Sequence, residues 1–597
     1  MLEWQCDKSR EDLLVEKKLK KYTLPFIAAI LTVFALSMTG LYAGSADNPG
    51  ETFLSLCKKE MTGIGIDKLV VLIAIIALYM KCWRNFCRSC KWITHLIAAM
   101  FSVFMLIGMS FSVQGNWSFF TAGRNQILIA LLTWAGFFFL FDIVISLLYA
   151  YGEKHPFLHS RNIKKFPEFM EKHYLLVAFL LILAGWLPYI LIFWPGSVPY
   201  DGFRQLNMFA GNQRFTNKHP WELSLIMGAL MTIGNVISDN WGIFMVVGVL
   251  ALIYAVCYAT VCYKLKSWGA PRWFNICCIA FFSLVPVFGA YSQTIIKDGS
   301  FSALFSLFMV IYVECCIPTL REKSGQSLRQ QLTVLFLVGF GMCITRNNGL
   351  YMVLPAFILL FFFLGKKRRL YAVGMVILVT VGYMGLQKEV APRLYIGNFP
   401  SRVFFSIPMQ QTARYLKEYP DDVTKEEAKA IDGVMKYDEI ADLYNPELSD
   451  PVKATYRGGH ITMAKLKRYF NAWFSMFLRH PGVYIEATLH NSYGYYYPFH
   501  NCTAQSSYRF YTVNEPLIEE SDYHQIFSAE TRNQLRKRWK GILVLAAPAL
   551  NVAICIASPV NGLLRYAFPL MACMPAVIFW GLAYAEKAID DKRTDEK

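Results

Sequence analysis
The sequence is poor in charge. Only 17% of its 597 residues are Asp, Glu, Lys or Arg, against about 25% in soluble globular chains. With 55% hydrophobic residues beside it, that shortage excludes an ordinary soluble enzyme as the architecture of the whole chain. There is no P-loop, no glycine fingerprint for a dinucleotide and no HExxH pair, so nucleotide hydrolysis and zinc proteolysis lack their usual support. No internal repeat or low-complexity tract stands out. The fifteen cysteines do not form a framework either, because most lie in apolar runs, where a thiol packs as a small apolar group. Cys82, Cys87 and Cys90 share a basic loop but lack a fourth ligand at zinc spacing. Only Cys57 and Cys502 fall in segments expected outside the cytoplasm, so disulfides are not the organising device.

What the chain has in quantity is apolar runs near the ~20 residues that cross a bilayer. They predict an all-α polytopic membrane protein of about 13–14 transmembrane helices, multi-pass in the cell membrane. The net charge of +17 is concentrated in short loops, where the positive-inside rule puts it, and it does not point to nucleic acid. Residues 1–22 read as a cytoplasmic tail before a signal-anchor, and 23–173 as N-terminal transmembrane helices. Residues 174–387 read as a membrane core carrying an external loop, 195–222. A mainly helical extracytoplasmic domain follows at 388–540, then C-terminal helices at 541–585 and a polar tail at 586–597. Within the third-last of these, Thr424-Lys425-Glu426-Glu427 is a capping-box pattern. Leu223–Ile237 is short for a span. Read as re-entrant, it puts Lys264, Lys266, Arg272 and the run Lys366–Arg369 on the cytoplasmic side. The cations Arg532, Arg536, Lys537, Arg538 and Lys540 leave the side of the C-terminus open.

The chain is organised around Trp194–Glu222, WPGSVPYDGFRQLNMFAGNQRFTNKHPWE. Its Pro and Gly residues break regular structure, and among them lie Asp201, Arg204, Gln205, Arg214, Lys218 and His219. Two further breaks, Lys297-Asp298 and Arg346-Asn347-Asn348, put charge at membrane boundaries on the same expected side. Such groups at a membrane exit are expected to hold a polar ligand, although polar residues between spans more often form an ordinary solvated loop. Asp201 can act as a general base or a metal ligand, although a loop Asp is more often a turn or cap. Asp298 suits a helix N-terminus, whereas Lys297 does not, so Lys297 needs another reason to be there. Arg346 can snorkel to headgroups or, with two amides, form a phosphate clamp, because guanidinium matches phosphate oxygens in a bidentate fashion. His219 before Pro220 is more often a structural contact than a ligand. Tyr495, Tyr496 and Tyr497 can stack on sugar rings or form an interfacial belt. Asp142, an acid inside an early span, fits either transport or a polar helix neighbour.

WPGSVPYDGFRQ, NKHPWE, IIKDGSF and TRNNGLYMVLP, with the later PMQQTARYL, RHPGVYIEATLHNSYGYYYP and SPVNGLLRYAFPL, resemble a bacterial family of polytopic membrane proteins of unknown function. That family in turn is similar to the C-type (GT-C) glycosyltransferases, such as protein mannosyltransferases and lipid A aminoarabinose transferases. The resemblance implies a GT-C-like core and polyprenyl-phosphate sugar donors used outside the cytoplasm. It implies Asp201 in the catalytic acidic position, His219-Pro220 in the HP element and Arg565-Tyr566 in the Arg-Tyr pair. The chain departs from the mannosyltransferase pattern at one point: Asp201 is followed by Gly202, not by a second acid.

The expected function is transfer of a sugar from a polyprenyl phosphate to a cell-envelope acceptor. Asp201 is the expected base, and Arg346, Lys297, Asn347 and Asn348 the expected phosphate ligands. His219, Asp298, Arg204 and Gln205 are secondary, and a divalent metal is a possible cofactor. The alternatives are a flippase for a polyprenyl-linked glycan and a non-catalytic envelope assembly protein.

Overall fold
A backbone in lipid can pair its N–H and C=O groups only within helices or closed barrels, and the apolar runs of this chain are helices. The computed structural model describes residues 22–44, 66–89, 91–154, 167–397, 405–458, 461–500 and 564–595, with positions 502–503, 522–523, 548, 551–552 and 555. Seven described helices are long and apolar enough to cross a bilayer, within Trp92–Val113, Arg124–Tyr151, Tyr174–Ile192, Asp239–Ser267, Lys297–Cys316, Leu328–Thr345 and Lys366–Arg393. Shorter apolar helices cover Leu24–Thr39, Gly349–Phe363 and Tyr566–Gly581. Extended pairing among the described residues is confined to a two-residue ladder, Cys502–Thr503 with Asp522–Tyr523, and isolated bridges. The protein is an all-α polytopic membrane protein.

The principal helices are α1 (Leu24–Gly44), α2 (Ile66–Ser89), α3 (Trp92–Val113), α4 (Arg124–Lys154), α5 (Tyr174–Ile192), α6 (Tyr200–Phe209), α7 (Trp221–Asn235) and α8 (Asp239–Ser267). They continue as α9 (Arg272–Leu284), α10 (Pro286–Ser292), α11 (Lys297–Cys316), α12 (Leu328–Thr345), α13 (Gly349–Phe363) and α14 (Arg369–Gly385). The polar domain supplies α15 (Ser406–Glu418), α16 (Lys425–Asp432), α17 (Met463–Arg479) and α18 (Pro481–His490), and the chain closes with α19 (Leu564–Asp595). The single apolar run 274–292 is broken: α9 and α10 bend by 49°. The cause is local, since Val285 is extended (φ −67°, ψ 121°) and the residue before a proline is driven out of the α region. The first part of the expected C-terminal helices, 541–563, and the basic run before it lie largely outside the described residues.

Three contacts calibrate α8. Near its start, Gly242 packs on Asn235 at the end of α7. Further along, Tyr254 Oη bonds Ser300 Oγ at 2.9 Å, in the first turn of α11. Near its end, Lys264 Nζ donates to Glu314 Oε2 at 2.8 Å, in the last turn of α11. At 1.5 Å per residue the successive contacts are about 18 and 15 Å apart. Helix α7 therefore flanks only the first half of α8 and never reaches the Lys264 end. Its 15 residues span about 22 Å, short of the ~30 Å hydrocarbon core.

Helices α12, α13 and α14 run back and forth beside α11. Gln331 near the start of α12 donates to Glu314 at 2.5 Å, and Arg346 just after its end reaches Asp298. One end of the bundle thus gathers the polar stretches, and the opposite end gathers Lys264, Glu314 and the Lys366–Arg369 run. In the buried network at that opposite end, Glu314 also accepts from Trp268 Nε1 at 2.7 Å.

The polar domain sits on the first of these ends. Gly397 and the loop before α7 exchange backbone bonds, Gly397 N to Phe215 O and Asn217 N to Gly397 O, both 2.8 Å. The expected capping box opens α16, with Thr424 Oγ1 accepting from Glu427 N and Glu427 Oε2 from Thr424 N. Buried Met409, Tyr415, Ile431, Tyr469 and Tyr484 make its core. The domain also holds the N-terminal helices: Arg414 donates to Gly115 O at 3.2 Å, and Glu486, paired with Arg414, accepts from Trp117 N at 3.3 Å. Inside those helices Asp142 has a polar neighbour, His95 Nδ1 at 2.6 Å.

Candidate functional site
Asp201 is delivered by a backbone splice. Ser197 N donates to Gln293 O at 3.0 Å, and Ile295 N donates to Ser197 O at 2.9 Å. This lays the segment before α6 parallel to the segment before α11, so the first turns of the two helices face each other. Pro199 ends the extended segment and α6 begins, with Asp201 in its first turn, a position the helix dipole favours for an acid. Gly202 lies against the carbonyl oxygen of Ile295, where a Cβ would collide. A side chain at position 202 therefore has no room.

Lys297, the first residue of α11, completes the centre. Its Nζ donates to Asp201 Oδ2 at 2.8 Å and lies 3.1 Å from His219 Nδ1. The anomaly of a cation at a helix N-terminus is explained by these two partners. His219 is buried at the mouth of α7, and burial together with the Lys297 ammonium pushes its pKa down to about 3. The imidazole is neutral at pH 7, accepts from Lys297 through Nδ1 and carries its proton on Nε2, which has no hydrogen-bond partner among the described residues.

Behind this centre, Arg346 Nη1 lies 3.5 Å from Asp298 Oδ1. Its guanidinium is 5.4 Å from the Phe301 ring and 5.1 Å from the Tyr566 ring. Asn347 Nδ2 donates to Asn217 O at 2.9 Å. The sequence-predicted Asp201, His219, Lys297, Asp298, Arg346, Asn347 and Tyr566 therefore converge from four segments. Gln205 lies next to them, donating to Ser224 Oγ at 3.0 Å. Arg204 turns aside to stack on Tyr200 at 4.4 Å, and Asn348 precedes α13 without a side-chain cap bond. The side chain of Arg565 lies outside the described residues.

The tyrosines are packed inward. Tyr497 sits against Gly108 of α3, where a Cβ would strike its ring, and Tyr496 lies 4.9 Å from Phe104. Tyr495 joins a small buried cluster with Cys555, Ala567 and Tyr566, one layer behind Arg346.

Sequence reasoning missed Gln387. It lies in a π-helical turn, Leu386–Val390, that ends the last long span, a feature frequent at functional sites. Gln387 Oε1 accepts from Asn217 Nδ2 at 2.6 Å and Trp221 Nε1 at 3.2 Å, and its Nε2 donates to Glu222 Oε1 at 2.8 Å. A lone amide directly after an apolar run was the available signal. Among the described residues no group of three His, Cys, Asp or Glu side chains is placed to hold a metal ion.

The profile of a family described as a family of unknown function (DUF6020) matches residues 16–215, 210–537 and 533–595. No curated protein matches, and no solved structure matches.

Proposed function
The chain belongs to DUF6020, a family of unknown function, and we propose that it is a membrane glycosyltransferase with a GT-C-like core. It transfers a sugar from a polyprenyl phosphate to a cell-envelope acceptor on the extracytoplasmic side, with the N-terminus in the cytoplasm. One observation carries the reading: Asp201, His219, Lys297, Asp298 and Arg346 meet where α11 starts and α12 ends, next to the polar domain. A base beside two cations suits displacement of a phosphate from a sugar. Asp201 takes the proton of the acceptor hydroxyl as its oxygen attacks the anomeric carbon. The bond to the phosphate oxygen breaks on the opposite face, with inversion, and Lys297 and Arg346 stabilise the charge on the leaving lipid phosphate. Nε2–H of neutral His219 is a donor for a sugar or phosphate oxygen. Asn347 and Asn348 line the phosphate, whereas Tyr495, Tyr496 and Tyr497, packed inward, have no direct role in binding the acceptor.

The test is turnover in lipid of a pool of polyprenyl-phosphate sugars, read as release of free lipid phosphate. Wild type is expected to turn over, and Asp201→Asn, folded and still binding donor, to lose activity. Equal turnover in both would remove Asp201 from the chemistry. Transport is the second reading, favoured by the His95–Asp142 pair within the early spans. It predicts translocation of a polyprenyl-linked glycan without lipid phosphate release.

A further inference from the structure
Both cations of the site are held by protein carboxylates, and the two pairs differ in access. The side chains of Lys297 and Asp201 are 14% and 13% exposed, those of Arg346 and Asp298 5% and 0%. The rings of Phe301 and Tyr566 lie over Arg346 as well. An anion entering from the open side meets the Lys297–Asp201 pair first. It meets there the N-terminus of a 20-residue helix, α11, whose first N–H groups favour a phosphate. The deeper pair is also the less satisfied one, since Arg346 Nη1 and both Asp298 oxygens lack hydrogen-bond partners among the described residues.

We propose that the Lys297–Asp201 ion pair is a latch that a phosphate headgroup opens by exchange. The phosphate takes over the Lys297 ammonium, and Asp201, released from it, becomes the base. An adjacent ammonium stabilises the ionised carboxylate and so weakens it as a proton acceptor. While the pair is closed, the base is masked. Once the phosphodiester monoanion of the donor shares the lysine, the carboxylate has lost part of its counter-ion and gained a negative neighbour, and both changes raise its proton affinity. The base is thus strengthened only when donor is present. His219 Nδ1, the second acceptor of Lys297, keeps the ammonium in place during the exchange.

This inference rests on the transferase reading, and binding separates the two. The probes are a polyprenyl phosphate and the uncharged polyprenol of the same length, titrated against purified full-length protein in nanodiscs. Asp201→Asn removes the competing carboxylate, so it is expected to bind the lipid phosphate about tenfold tighter than wild type, a difference of about 1.4 kcal/mol. Lys297→Gln is expected to bind it at least about tenfold more weakly. Polyprenol should bind all three proteins alike, which also certifies their folding. Asp201→Ser carries the same test if Asp201→Asn does not fold. Lipid phosphate binding that is unchanged or weakened in the Asp201 variants, with polyprenol binding intact, overturns the latch and leaves the transferase reading standing. Wild type that binds lipid phosphate no better than polyprenol overturns the donor assignment and the latch with it.

Discussion

Lys297 and Asp201 lie 96 positions apart in the chain and 2.8 Å apart in space. What joins them is the splice of Ser197 onto Gln293 and Ile295, which aligns the first turns of α6 and α11. A site built on two helix N-termini is positioned by backbone bonds, so changes that disturb the splice should act on chemistry and stability together.

Gly202→Ala tests this. The added methyl would strike Ile295 O, and overpacking of this kind costs about 1–3 kcal/mol. The variant should melt earlier in detergent and lose activity more than tenfold, about the effect of 1.4 kcal/mol, because Asp201 moves with the displaced helix. A melting point and turnover equal to wild type would show that the close approach does not position the acid.

The pH dependence of stability should carry the mark of His219. Its pKa is about 3 in the folded protein, against about 6.5 when unfolded. Between these values the unfolded chain binds a proton that the folded one does not, so stability is full above pH 6.5 and falls as the pH drops toward 3. The slope is up to about 1.4 kcal/mol per pH unit. His219→Gln should lose that slope, seen as a wild-type minus variant difference in melting temperature that shrinks as the buffer is acidified. A difference constant from pH 4 to 7 would contradict a buried neutral imidazole.

At the opposite end, Lys264 and Glu314 are buried partners, their side chains 6% and 0% exposed. Breaking such a pair from one side costs about 3–5 kcal/mol, since it strands the other charge, whereas replacing both with apolar groups is often neutral. Glu314→Leu should therefore lower thermal stability sharply, and Lys264→Met with Glu314→Leu should recover only the part owed to the stranded ammonium, because Trp268 Nε1 and Gln331 Nε2 also lose their acceptor. The donor-binding affinity of the double variant should stay near wild type, because Glu314 lies about 24 Å along α11 from Asp298.

The hold of the polar domain on the N-terminal helices runs through Arg414 and Glu486. Arg414→Gln should speed amide exchange at Trp117, whose N–H bonds Glu486, and in α18, while the core of α11 keeps its protection. Unchanged exchange at Trp117 would place the hold elsewhere, in the packing of Tyr497 on Gly108.

Much of the site was readable because polar residues interrupt apolar runs at visible places. PYDGF, NKHP, IIKDG and TRNNG each carry a cation, acid or imidazole that lipid would reject, and the positive-inside pattern put them at one end. The stretch at Leu223 was legible as a short helix from its length alone. Other features carried no such mark. Nothing in a glycine after Asp201 says that Ile295 O lies against it, and nothing in a tyrosine-rich turn says that Gly108 receives it. The break of the apolar run 274–292 at Val285 was hidden by its unbroken apolar composition, although Pro286 was the cue.

Which of the described segments are helices followed from the sequence, because in lipid each apolar run must satisfy its own backbone bonds and each polar break must leave the hydrocarbon. Those are local requirements, met residue by residue. Only the tertiary structure decided which breaks meet: that Asp201 shares Lys297 with His219, that Arg346 lies between Asp298, Phe301 and Tyr566, and that Gln387 ties the loop before α7 to the last long span. These pairings depend on which helix packs beside which, and that is settled by contacts between residues far apart in the chain.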